Sequence, residues 1–181
     1  MPSDDRAISE LRKRIPQADE RIFEFFAAWL AARSDALVAR RKDFSPLSVP
    51  SLLRYIWIYR FEPEVGDYVC KLAGESVNDA WGRGIKGRTI RNIVGEIDYP
   101  VVKERWDKIV GVPLIQYGAV EERLSSLDAW HAERLLLPMA SEDGKTDVIL
   151  GISLYNLAQF ADDRNANVSE VVMQFPCRDI L

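Results

Sequence analysis

The chain has 181 residues, 24 Lys plus Arg against 28 Asp plus Glu, and a net charge of −4. Its 48% apolar content supplies a sizeable core and excludes a disordered chain. The acidic balance argues against a nucleic-acid clamp, which needs a basic face to displace counterions. With only Cys70, Cys177 and His131 available, a disulfide framework and the usual zinc sets are excluded.

The start, with Asp4, Asp5 and Arg6, is charged where a signal peptide needs an apolar stretch. The nearly apolar run 22–32 is interrupted by Glu24 and too short to span a bilayer. A cytoplasmic address without membrane contact is the expectation. Ser3 opens a first helix with Ile8, Leu11 and Ile15 on one face. Pro16 breaks it and opens a second, expected over 17–41 and closed by Arg40, Arg41 and Lys42. Phe25, Phe26, Trp29 and Leu30 spread apolar surface around that helix, so two of its sides need cover. One side suits the outer face of a sheet. The other predicts a homodimer interface built on those four residues, unless the first helix folds back over it.

Residues 55–61 and 68–73 are aromatic and β-branched and read as an antiparallel pair across a short Pro-Gly turn. Helical segments follow at 75–81, 89–94 and 99–110, the last capped by Asp98. Three strands, 113–124, 129–140 and 148–157, form a meander joined through 125–128 and through Asp143-Gly144, a hairpin signal requiring positive φ. After Asp162, Asp163, Arg164 and Asn165, the run 168–175 is a strand or an arm. The division expected is a helical extension over 1–45, a domain over 46–160 and a tail over 161–181.

The segment Asp67-Tyr68-Val69-Cys70-Lys71-Leu72-Ala73-Gly74-Glu75 resembles the second strand and first helix entry of a bacterial family of small, stand-alone PAS-like proteins. Gly84-Ile85-Lys86-Gly87-Arg88-Thr89 resembles that family's next loop, and Glu133-Arg134-Leu135-Leu136-Leu137-Pro138, with Gly144 and the strand to Leu154, its last hairpin. The resemblance covers about 47–157. It implies an α+β fold, a five-stranded antiparallel sheet with helices on one face. It also implies a non-enzymatic sensory or adaptor module acting in trans, holding a small molecule in a cleft or engaging a protein partner. A small enzyme or carrier using the same cleft on an anionic metabolite is the alternative.

Strand alternation and the helix stripe nominate Cys70, Leu72, Trp106, Tyr117, Leu135 and Ile152 as cleft wall. A register error of one residue would reverse the face. Trp57, Trp81 and Trp130 are core aromatics, some lining the cleft. Gly82-Arg83-Gly84-Ile85-Lys86-Gly87 matches G-x-G-x-x-G, but a helix precedes it where a dinucleotide site needs a strand, so it reads as an interhelical loop. Arg83, Lys86 and Arg88 there form a solvated basic loop or an anion contact.

No cofactor is identified. Haem is disfavoured because the 99–110 helix, from which PAS relatives usually ligate iron, lacks His, Cys and Met, while His131 lies in a strand. Covalent flavin is disfavoured because Cys70 lies in a strand rather than the helical segment. Cys177, in the tail, is expected to be the more reactive thiol. Ser125, Ser153 and Ser169 lack a nearby base, and Glu121, Glu122, Glu142 and Asp143 read as solvated charges.

Overall fold

In the computed structural model, which describes residues 2–123, 129–157 and 171–181, the stripe Ala7, Leu11 and Ile15 lies on helix α1 (Pro2–Arg14) and the turn after it. All three are fully buried. Asp19 caps α2 (Glu20–Arg33), its carboxylate accepting from the Arg21 backbone N–H at 2.9 Å. The second helix ends eight residues before the expected Arg41. Ser34 adopts φ 54°, which stops the helix, and the chain then enters the sheet as β1 (Ala39–Arg40).

Two short 3-10 turns, Pro46–Ser48 and Pro50–Tyr55, lead into β2 (Ile56–Glu62), which pairs antiparallel with β3 (Asp67–Ala73). Helix α3 (Glu75–Ala80) follows. The two helical pieces expected at 89–94 and 99–110 are one kinked element, α4 (Ile90–Gly111). It is capped by Thr89, not Asp98, and it bends at Gly95, whose φ of 82° a β-carbon would strain. The meander is β4 (Leu114–Arg123), β5 (Ala129–Ala140) and β6 (Thr146–Leu157). Gly144 turns the last hairpin with φ 83°. Then β7 (Val171–Pro176) and α5 (Cys177–Ile180) close the chain. The linking residues 125–128 and the stretch 158–170, with Asp162, Asp163, Arg164, Asn165 and Ser169, lie outside the described residues.

Among the described residues the sheet has seven strands where five were expected, in the order β3-β2-β6-β5-β4-β7, with β1 parallel to β5. The two additions come from the segments assigned to the extension and the tail. β7 pairs with β4 from Leu114↔Pro176 to Ala119↔Val171. Helices cover both faces, not one. On the first face α1 and α2 pack over Ile56, Ile58, Tyr117, Leu135, Leu150 and Ile152. On the second, α3 and α4 pack over Trp57, Tyr59, Tyr68, Cys70, Leu136 and Ile149.

This arrangement overturns the dimer interface expected on α2. Phe25, Phe26 and Trp29 are 0% exposed and Leu30 is 1% exposed in the single chain. The sheet takes one side of α2 and α1 takes another. The Trp29 indole also donates to the Pro138 carbonyl at 3.0 Å, anchoring α2 to β5. Each of these side chains contributes roughly 1.5–3 kcal/mol by leaving water. That gain is already realised inside one protomer.

Candidate functional site

A cavity of about 510 Å³ lies between the second face of the sheet and α3 and α4. Its aromatic side is built by alternation. Trp57 and Tyr59 on β2 point the same way, and Trp106 from α4 settles on them. The Trp57 and Trp106 rings stack at 5.5 Å and 10°, and Tyr59 and Tyr68 meet Trp106 edge-on at 5.0 and 5.3 Å. Trp81, Val77, Ile85 and Ile93 continue the apolar wall.

Polar groups come from the neighbouring strands. Gln116, Gly118, Arg134 and Ser153 line the cavity from β4, β5 and β6. Ser153 is 0% exposed, and its oxygen accepts from the Trp57 indole at 2.7 Å and from Arg134 Nε at 3.1 Å. The Arg134 guanidinium lies 5.5 Å over the Tyr155 ring, with a terminal nitrogen 3.5 Å from its hydroxyl. Gln174 on β7 donates to Gln116 at 2.8 Å and to the Arg105 carbonyl at 3.4 Å, tying α4 to the sheet beside the cavity.

The nominated wall residues separate by face. Trp106 lines the cavity, and Cys70 packs among its aromatics in the second core. Tyr117, Leu135 and Ile152 belong to the first core, under α1 and α2. Leu72 packs there too, although Cys70 is only two residues away. The cause is a β-bulge. Tyr59 pairs with Cys70 while the adjacent Ile58 pairs with Leu72, so Lys71 is the extra residue and the alternation changes sign across it. At the other three positions the residues facing the cavity are the immediate neighbours, Gln116, Leu136 and Ser153.

The basic loop lies elsewhere. Arg83, Lys86 and Arg88 are exposed and do not line the cavity. Arg83 donates to the Asn92 carbonyl and Arg88 to the Gly84 carbonyl. The Gly87 N–H is bonded to the Cys70 carbonyl at 2.8 Å, so the glycine run is laced to β3 and that amide does not face a phosphate.

Burial holds the Cys70 thiol neutral, with its pKa pushed up to about 11. Its sulfur donates to the Leu72 carbonyl at 3.3 Å. Cys177 does not behave as an exposed tail thiol. It is 0% exposed in the first core, and desolvation pushes it up to about 12. The Tyr59 and Tyr68 hydroxyls are also driven upward by burial, Tyr68 further by its bond to Asp107 at 2.9 Å. His131 falls on β5, opposite Glu121 and Asn156. Among the described residues no three His, Cys, Asp or Glu side chains gather in a metal-holding group.

A family model described as PAS domain matches residues 18–154, well over half of the chain. The chain belongs to the PAS domain family, whose members are modules of the sensory and signalling type. Solved structures with a similar arrangement include a light-oxygen-voltage domain studied with a flavin analogue. It shares 13% identity at a TM-score of 0.46, over 64% of this chain and 87% of that one. The dark structure of the blue-light photoreceptor Aureochrome1 LOV shares 14% identity at 0.45, over 66% and 88%. The Rhodobacter sphaeroides LOV protein shares 10% at 0.45, over 80% and 72%. No curated protein matches the chain.

Proposed function

We propose that this PAS domain is a non-enzymatic sensory module, acting in the cytoplasm, that binds a small organic molecule between the sheet and α3 and α4 and signals to a protein partner in trans. The cavity carries this reading. It has the size of a small-molecule site and its composition, an apolar aromatic lining with a few placed polar groups. The non-enzymatic part rests on Ser153. Its oxygen accepts hydrogen bonds from two donors, Trp57 and Arg134, and neither is a base able to activate a hydroxyl. The basic loop of Arg83, Lys86 and Arg88, the anion contact expected for a carrier or enzyme, stands outside the cavity. No described helix is long and apolar enough to cross a membrane.

The test is mass spectrometry of small molecules released when the purified full chain is denatured, with tryptophan emission followed during a screen of small organic compounds. A bound compound, or a saturable change in emission lost in Trp106→Ala, supports the reading. A chain that releases nothing and answers to no compound at millimolar concentration overturns it.

A further inference from the structure

Resting on that reading of the cavity, we infer that its ligand is a flat, uncharged organic molecule with a carbonyl-type acceptor on its edge, held by the side-chain amide of Gln116. The observation that carries this is a donor left over in a buried place. Gln116 on β4 is 8% exposed and lines the cavity. Its oxygen accepts from Gln174 Nε2 at 2.8 Å, and among the described residues its own Nε2 meets no acceptor. A buried amide N–H without a protein partner is costly, so a ligand acceptor that takes it gains on binding.

The direction of the amide follows from its neighbours. Gln174 is the cross-strand partner of Gln116 on β7. The same Gln174 nitrogen reaches the Arg105 carbonyl at 3.4 Å, and a carbonyl can only accept. Gln174 therefore turns its NH2 to that side, and Gln116 must answer with its oxygen. The Gln116 NH2 is what remains for the cavity. Charge is limited by the other polar groups. Arg134 is bonded to Ser153 and Tyr155, and Arg105 also holds an interaction within the protein. Asp98 is exposed, and solvent screens it. A buried ligand charge without a counter-charge is costly, whereas a neutral carbonyl is matched by a neutral amide. Flatness follows from the walls, where Trp57, Trp81 and Trp106 suit a planar ring system better than a flexible chain.

Calorimetric titration of the full chain with four probes tests each part. 2-Acetylnaphthalene has the ring and the neutral carbonyl, naphthalene lacks the acceptor, 2-naphthoate carries a charge, and 2-nonanone has the carbonyl without the ring. 2-Acetylnaphthalene is expected to bind at least about threefold more tightly than each of the other three, the scale of one net hydrogen bond. Gln116→Met keeps the length of the side chain and removes the amide. It is expected to weaken 2-acetylnaphthalene at least about threefold while leaving naphthalene within about twofold, a split that mere damage to the wall would not produce. Gln174→Met frees the Gln116 amide to turn, and is expected to narrow the preference for 2-acetylnaphthalene over naphthalene by a smaller factor. It also serves as the second variant should circular dichroism show Gln116→Met not to fold. Equal or tighter binding of naphthalene, 2-naphthoate or 2-nonanone overturns this inference and leaves the ligand-site reading standing. So does a folded Gln116→Met that weakens 2-acetylnaphthalene and naphthalene alike or neither, or, where that variant does not fold, an unchanged preference in Gln174→Met. If none of the four probes binds, the inference falls, and the ligand-site reading is then decided by the release and emission experiment.

Discussion

The indole of Trp57 lies flat against Gly151, its cross-strand partner on β6, and a β-carbon at that glycine would occupy the ring's own position. The aromatic side of the cavity therefore depends on a residue with no side chain. Gly151 lets Trp57 lie down on the sheet, and only then can Trp106 stack on it and the indole nitrogen reach Ser153.

Gly151→Ala is expected to destabilise the chain by about 1–3 kcal/mol, the usual cost of overpacking a filled core. Gly84→Ala is the control, since nothing lies within 4 Å of its added carbon. Urea denaturation of both variants measures the difference. Equal midpoints for Gly151→Ala and the parent would show that the indole is not seated there.

The helices, the strand pairs and the Gly144 hairpin were legible because period and turn chemistry encode them. The face of each strand was not. Residues 56–59 are buried consecutively, so alternation of apolar and polar residues cannot tell inside from outside there. The legible signal of the inward face is polarity, not apolarity. Gln116 and Ser153 are polar positions inside apolar stretches of β4 and β6, and with helices on both faces they line the cavity and not solvent. The bulge at Lys71 follows from pairing geometry and has no local sequence signature. Cover of α2 by α1 was one of two arrangements its broad apolar surface allowed, and only tertiary packing chose between them.

Trp29→Glu distinguishes a core residue from an interface residue. Truncating a buried tryptophan costs about 3–5 kcal/mol, and an unpaired buried carboxylate adds to that. Against a typical total of about 5–15 kcal/mol this removes much of the stability. The expected outcome is loss of the cooperative thermal transition in circular dichroism. A variant that keeps its Tm and changes only its sedimentation coefficient would return Trp29 to a subunit interface.

Both thiols are expected to be shielded. In native buffer at pH 8, Cys70 and Cys177 should react with an aromatic disulfide reagent far more slowly than in guanidinium chloride, since both are buried and held neutral. Their folded pKa values are raised, so the stability they contribute is complete below the ordinary thiol value. It is lost as pH climbs towards about 11 for Cys70 and about 12 for Cys177. Buried tyrosines add to the alkaline loss in every variant. The thiol share is the difference between the parent and Cys70→Ala/Cys177→Ala. The double variant should lose less stability between pH 8 and pH 11, and an identical loss would show that neither thiol is held neutral by the fold.

Glu133 joins the sheet to the start of α2, and its contribution is measurable as a coupling. Its side chain is 9% exposed, and one carboxylate oxygen accepts from the Asp19 backbone N–H and from the Tyr117 hydroxyl, each at 3.0 Å. Glu133→Ala leaves the buried Tyr117 hydroxyl without that acceptor, at about 1–3 kcal/mol, and the part-buried Asp19 N–H without it at a smaller cost. Glu133→Gln keeps a carbonyl oxygen in place and should cost less. Tyr117→Phe removes one donor and should cost about 1 kcal/mol. Because the two side chains share a bond, the Tyr117→Phe/Glu133→Ala double variant should lose less than the sum of its parts, by at least about 0.5 kcal/mol. Amide exchange adds a spatial reading. In Glu133→Ala, protection should fall first at the N-terminal turn of α2, with β5 and β6 less affected. Strict additivity in the denaturation cycle, together with unchanged exchange in α2, would show that Glu133 does not hold the helix to the sheet.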